Sequence, residues 1–302
     1  MRLLNVRGRL SIATSTGLVD VSDHSSGRFS SDPQAIYERW QEFRDWASSS
    51  QLDKRLDGGV LPVEDLADLE APVPRPRQVF AIGLNYFDHA AESGFTAPSE
   101  PVVFTKFVSS FTGANRTVSL PPGKVDWEVE VIAVIGSGGR NIPEARAWSH
   151  IAGLTVGQDL SERVTQMQGP APQFSLAKSF PGFAPMGPAL VTVDEISEID
   201  DLQVTCELNG ETVQSARTSE MIFSIPTLVA LLSRIVTLLP GDVIFTGTPP
   251  GVGMGRSPER YLSDGDVLVS RVEGIGEMQN SLTASGPKEN HVPHLESQAT
   301  AY

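Results

Sequence analysis

An α+β fold, mainly β, is predicted by the way apolar residues are spaced in this 302-residue chain. Short runs rich in Val, Ile and Leu recur from Val79 to Val272, and helical spacing is scarce among them. The strands do not alternate regularly with helices, which argues against a doubly wound parallel sheet. Hydrophobic residues make up 40% of the chain and charged residues 20%, enough apolar material for a large core.

The elements follow in chain order. Leu3 to Thr14 and Gly17 to Val21 read as a strand pair. A helix comes next, with Asp32 as its cap, Pro33 at the first helical position and Ile36, Trp40 and Phe43 on one face. Prolines then alternate through Ala71 to Arg77, where neither a helix nor a central strand could continue, so this stretch reads as a linker. Residues 1–72 are therefore expected to form a small N-terminal α+β domain, and residues 73–283 the main domain. Its predicted strands are Val79 to Ile82, Val102 to Phe104, Val129 to Ile135, Leu154 to Gln158, Ala189 to Val193, Leu202 to Leu208, Val243 to Thr246 and Val267 to Val272. Asn209-Gly210 signals a type I′ hairpin turn. A helix is predicted from Pro226 to Leu238, with Ser224 near its start and Pro240-Gly241 as its stop. After Leu282 the pattern dissolves, and residues 284–302 are expected to form a polar tail, mobile or packed on a neighbouring subunit.

Charge and composition remove several function classes. Lys plus Arg total 23 against 37 Asp plus Glu, a net charge of −14, which argues against a nucleic-acid partner. No run reaches the roughly 18 apolar residues of a membrane span, and Arg2, Arg7 and Arg9 are not followed by a signal-peptide core. A soluble, cytoplasmic protein without a membrane partner is expected. Cys206 is the only cysteine, which excludes an internal disulfide or a thiolate zinc cluster, and its alternation with Leu202, Val204 and Leu208 points it into the core. There is no G-x-S-x-G elbow or Walker A sequence, and neither Gly136-Ser-Gly-Gly139 nor Gly251-Val-Gly-Met-Gly255 completes G-x-G-x-x-G.

Two constellations carry possible chemistry. Glu128 and Glu130 are two apart at the start of an apolar run, so on a strand both carboxylates face one side. A solvated strand face in an acidic protein would look the same. Asp159, at the end of the stretch Ile151 to Gln158, adds a third carboxylate and makes an oxygen-only set suited to Mg²⁺, Mn²⁺ or Ca²⁺. His89 and Glu92, three apart after the strand Val79 to Ile82, would share one side of a helical turn. That spacing fits a carboxylate-oriented general base, although it also describes an ordinary surface pair. His150 has no comparable neighbour and reads as structural.

The ordered motifs Gly83-Leu-Asn85-Tyr-Phe-Asp-His89-Ala-Ala-Glu92, Asp126-Trp-Glu128-Val-Glu130, Gln158-Asp159-Leu-Ser-Glu-Arg163-Val-Thr-Gln166, Lys178-Ser-Phe180, Asn209-Gly210-Glu211, Pro240-Gly-Asp242 and Thr246-Gly-Thr-Pro-Pro-Gly-Val-Gly253 resemble the fumarylacetoacetate hydrolase family from about Val79 to Leu282. The resemblance implies that family's mixed β-sandwich roll, a homodimer, and one Mg²⁺ or Mn²⁺ on Glu128, Glu130 and Asp159. It places Lys178 in the active site, has Arg163 and Gln166 line it, and has Thr248 help to hold a substrate carboxylate. His89 and Glu92 match the dyad that activates water in members that cleave carbon–carbon bonds. The implied substrate is a small anionic 2-oxo or 2,4-diketo acid, an acylpyruvate or fumarylpyruvate, hydrolysed through an enolate whose charge the metal stabilises. A 2-oxo acid decarboxylase, a 2-hydroxydienoate isomerase and a non-catalytic metal-binding protein are the alternatives.

Overall fold

The computed structural model describes residues 1–52, 68–92, 94 and 96–285. The expectation for the polar tail falls almost wholly on residues 286–302 and so lies outside the described residues.

Two β-sheets make the frame. The larger runs, by neighbour, through Gly17–Asp20, Arg9–Thr14, Arg2–Val6, Ala184–Thr192, Ile151–Gln158, Val129–Ile135, Val243–Phe245, Val79–Gly83 and Val102–Phe104. Its pairs along this path are antiparallel except Val243–Phe245 with Val79–Gly83, which is parallel. The second sheet orders Glu211–Arg217, Gln203–Leu208, Val267–Val272, Gly276–Ala284 and Thr117–Leu120. This is the α+β, mainly β architecture the apolar runs predict.

Parity along Val129–Ile135 explains the layering. Val129, Val131, Ala133 and Ile135 join a core shared with Val204, Cys206, Leu208, Leu268 and Met278 of the second sheet. Ile132 and Val134 enter a different core with Leu3, Trp40, Phe43, Leu190 and Phe245. The strand is buried on both faces, which is why it reads as a continuous apolar run.

The leading residues complete that second core. Arg2 pairs with Val191 and Leu3 with Leu190, so the N-terminal strands extend the large sheet. Leu3 to Thr14 is two strands, because Arg7 and Gly8 adopt φ of +51° and +83° and turn the chain back on itself. The helix after Asp32 opens as a 3₁₀ turn, Ala35–Arg39, and continues as an α-helix over Trp40–Ser49. Ala71 and Val73 of the proline-rich stretch are buried, and Arg75 bonds Asp32 and Gln34.

Elsewhere the predicted boundaries shift for local reasons. The helix Ile225–Ile235 is capped by Ser224, which accepts from the Thr227 N–H, and it stops short of Leu238 because Leu238 exchanges backbone bonds with Gly139. The strand expected from Ala189 begins at Ala184. Asn209 and Gly210 take φ of +53° and +82°, the left-handed pair a type I′ turn needs.

Candidate active site

The sheet gathers the predicted residues at one end. Val129 lies opposite Gln158 and the Asp159 N–H donates to the Glu128 carbonyl at 2.9 Å, so Glu128 and Asp159 emerge side by side from adjacent strands. Glu130 follows on the same face as Glu128. Side-chain oxygens of Glu128, Glu130 and Asp159 lie within 4.8 Å of one another, and all three residues are buried.

Burial of these carboxylates is offset by buried cations. The Lys178 ammonium is 2.6 Å from both Glu128 Oε2 and Asp159 Oδ2, and Arg163 Nη1 is 2.7 Å from Glu128 Oε1. Burial alone would raise the Glu128 carboxyl, but Lys178 and Arg163 outweigh it and hold the group below the usual carboxylate range. Glu130 goes the other way. Burial raises it, the neighbouring Asp159 and Glu128 charges raise it further, and it stands well above the ordinary value despite one backbone bond from the Gly247 N–H at 2.8 Å. Burial pulls Lys178 down, yet the Asp159 and Glu128 charges keep it raised.

A cleft opens onto this cluster. Glu128, Lys178, Arg163, Gln166, Thr248 and His89 all line it, whereas Glu130 and Asp159 cluster with Glu128 without lining the cleft themselves. Phe104, Phe174, Met167 and Met254 make its wall partly apolar. His89 sits on the short helix Phe87–Glu92, and its Nδ1 is 2.9 Å from Glu92 Oε1. The Glu92 carboxylate accepts from the Gly251 N–H at 3.0 and 2.9 Å. A carboxylate has no proton to give, so Nδ1 donates and Nε2 is left as the basic nitrogen.

The glycine-rich loop has no room for side chains. Gly251 has φ of +108°, and a Cβ there would fall 2.0 Å from the Val213 carbonyl oxygen. The Thr248 hydroxyl donates to the Val129 carbonyl at 2.9 Å and accepts from Gln214 Nε2 at 2.8 Å, so its proton is committed within the protein. Gln166 accepts from Arg163 Nη1 at 2.9 Å, which leaves its amide N–H₂ to donate.

Two expected bystanders are such. His150 lies apart from the cleft, with Nδ1 2.7 Å from the Ser137 carbonyl oxygen. Cys206 is a buried free thiol. One buried cation escaped the motif reading: Lys106, whose ammonium is 2.6 Å from Asp159 Oδ1 and also bonds the Lys178 carbonyl. Its only trace in the chain is a charged residue just beyond the strand Val102–Phe104, the same kind of signal that singled out Asp159.

Residues 78–283 match the fumarylacetoacetate (FAA) hydrolase C-terminal family. The chain belongs to the fumarylacetoacetate hydrolase family. A human relative named oxaloacetate tautomerase FAHD2A, mitochondrial, is 45% identical over 225 residues, which cover 74% of this chain and 71% of the relative. The crystal structure of an HpcE-type protein from Mycobacterium smegmatis is 55% identical with a TM-score of 0.88, covering 95% of this chain and all of that one (100%). The fumarylacetoacetate hydrolase of Exiguobacterium antarcticum is 33% identical with a TM-score of 0.78, covering 94% of this chain and 100% of its own. The mixed β architecture is therefore that of the family, and its members' names span tautomerase and hydrolase chemistry. Among the described residues, no helix is long and apolar enough to cross a membrane.

Proposed function

We propose that this chain is a divalent-metal-dependent enzyme that interconverts keto and enol forms of a small 2-oxo acid of the oxaloacetate type, with His89 as the proton-transferring base. The observation that carries the reading is that one cleft is lined both by His89, held by Glu92, and by Glu128, one member of the three-carboxylate cluster. The human relative's name supports the tautomerase form of it.

The donor set fits a hard dication. Glu128, Glu130 and Asp159 offer only oxygens, and the raised Glu130 marks a position where a third negative charge lacks full compensation. Mg²⁺ or Mn²⁺ held there would supply Lewis acidity toward a 2-oxo group, with Ca²⁺ a poorer substitute. Arg163 and the Gln166 amide would take the substrate carboxylate, and Thr248 would contribute shape more than a proton. His89 Nε2 would remove the proton from the carbon next to the oxo group, and the imidazolium would return it to the enolate oxygen, completing the keto-to-enol change. Glu92 would hold the ring in the tautomer that leaves Nε2 free and would stabilise the imidazolium that results. Lys178, already shared between two carboxylates, would offset negative charge as it develops.

A second reading, hydrolysis of an acylpyruvate, is favoured by the apolar wall of Phe104, Phe174, Met167 and Met254, which would accommodate an acyl chain. Here the same His89 nitrogen would take its proton from water. The cytoplasmic location and the homodimer belong to the proposal as well, the latter checked by light scattering at micromolar concentration.

The test follows the absorbance of enol-oxaloacetate and, in parallel, of an acylpyruvate, with Mg²⁺ or Mn²⁺ and with EDTA. Ketonisation faster than with metal alone, lost in EDTA and lowered by about 10²–10⁴-fold in His89→Ala, is expected. Acylpyruvate cleavage without faster ketonisation would replace the first reading with the second. Inactivity toward both would remove them together.

A further inference from the structure

Asp126 has no part in the chemistry above, yet it is fully buried and its carboxylate gathers donors from separate segments of the chain. Oδ1 accepts from the Gly253 N–H at 2.6 Å and from the Trp127 N–H at 2.9 Å. Oδ2 accepts from the Met254 N–H at 3.0 Å and faces Arg163 through Nε at 2.9 Å and Nη2 at 2.8 Å. Nε donates to Oδ2, while Nη2 makes no hydrogen bond and meets the same oxygen only as an ion pair; the charge-assisted Nε bond orients the guanidinium. It leaves Nη1 directed to Glu128 and Gln166 at the cleft.

We propose that Asp126 is a positioning residue for substrate binding: it holds the Arg163 guanidinium in the orientation that receives the substrate carboxylate. The inference rests on Arg163 being a substrate contact. With the charge of Asp126 gone, Arg163 would keep its pairing with Glu128 but lose the contact that orients the guanidinium from behind, and it would no longer be held in one pose toward the substrate carboxylate. The dyad should be spared. Gly251, which holds Glu92, makes no bond to Asp126 and is fixed by its close approach to Val213 and by the Trp127 Nε1 bond to its carbonyl at 3.2 Å.

The test is Asp126→Asn, which keeps an acceptor for the Gly253 and Trp127 N–H groups, removes the charge and sets an amide N–H₂ against the Met254 N–H and Arg163 Nε. It should raise KM by about tenfold or more, the scale of one charge-assisted contact, while kcat stays within about threefold. The pH profile of kcat should not move. In a double-mutant cycle, Asp126→Asn with Arg163→Gln should be no worse than Arg163→Gln alone. A fall in kcat at constant KM, or losses that add in the cycle, would overturn the inference. Oxalate affinity measured by calorimetry in Mg²⁺ is the readout independent of turnover, and it should weaken about tenfold in Asp126→Asn. Equal oxalate affinity in the two proteins overturns the inference even if no 2-oxo acid is turned over, whereas absence of turnover in the unmodified protein removes only the proposed function. A protein that neither binds oxalate nor turns over removes both. If circular dichroism shows Asp126→Asn unfolded, Asp126→Glu, which keeps the charge but moves it by one methylene, carries the same readouts: weaker oxalate binding and a raised KM are expected, and unchanged oxalate affinity overturns the inference.

Discussion

Glu130 is held away from its ordinary ionisation because burial and two neighbouring carboxylates act in the same direction. A dication would reverse that balance, so metal should stabilise the fold as well as serve the reaction. Saturating Mg²⁺ or Mn²⁺ at about a hundred times its Kd is expected to add ~2.7 kcal/mol, read as a rise in Tm. In Glu130→Gln that rise should largely vanish, while the metal-free variant should melt no lower than the metal-free parent, since it lacks one poorly compensated buried charge. An unchanged metal-induced shift would exclude Glu130 as a ligand. Cys206 gives a second residue-scale expectation. Burial pushes its thiol up to about 12, with the bond from Gln158 only partly opposing. At pH 8 roughly one thiol in ten thousand would then be ionised. A thiol-reactive dye should therefore leave the native protein unlabelled and react fully in denaturant, and fast native labelling would mean that the second sheet opens.

At the scale of elements, two neighbouring strands and the residues at their ends carry the carboxylates, and a loop and a short helix carry the base. Gly251→Ala would bring a Cβ within 2.0 Å of the Val213 carbonyl oxygen, so the loop must shift and the N–H that holds Glu92 must shift with it. Activity is expected to fall toward the His89→Ala level, about 10²–10⁴-fold below the parent, with the metal-induced rise in Tm retained. Loss of that rise as well would mean that loop and strands are not independent. The same division governs what can be read from the chain. Glu128 and Glu130 are legible because strand parity is local, and His89 with Glu92 because a helical turn is local. Lys106 and the reach of Asp126 to Gly253 and Arg163 are not, since they depend on segments 53, 127 and 37 residues away meeting in space. Helix ends shift for a similar reason, as Leu238 gives up its place in a helix to bond Gly139.

At the scale of the molecule, the leading strands and the helix Trp40–Ser49 cover one face of the large sheet. The strand pair, the helix and the proline-rich stretch set residues 1–72 apart as a leading unit in the sequence, whereas the pairing of Arg2 with Val191 spans too much chain to be seen in any local pattern. Removing residues 1–72 would uncover Ile132, Val134, Leu190 and Phe245. Such a chain is expected to aggregate or to lose its cooperative melt, checked by light scattering and calorimetry, whereas a soluble piece with a sharp transition would make the leading unit separable after all. The neighbouring strands that bring Glu128 beside Asp159 have a consequence over generations of sequence change. A one-residue slip between them would turn every core side chain to the wrong face, so drift cannot relocate the carboxylates gradually. The base is under no such constraint, resting on one turn of helix and a few loop amides. New reactions on this frame should thus arise by rewriting the loop and helix around an inherited set of acids, and a chain that has lost its original activity should keep those acids longest.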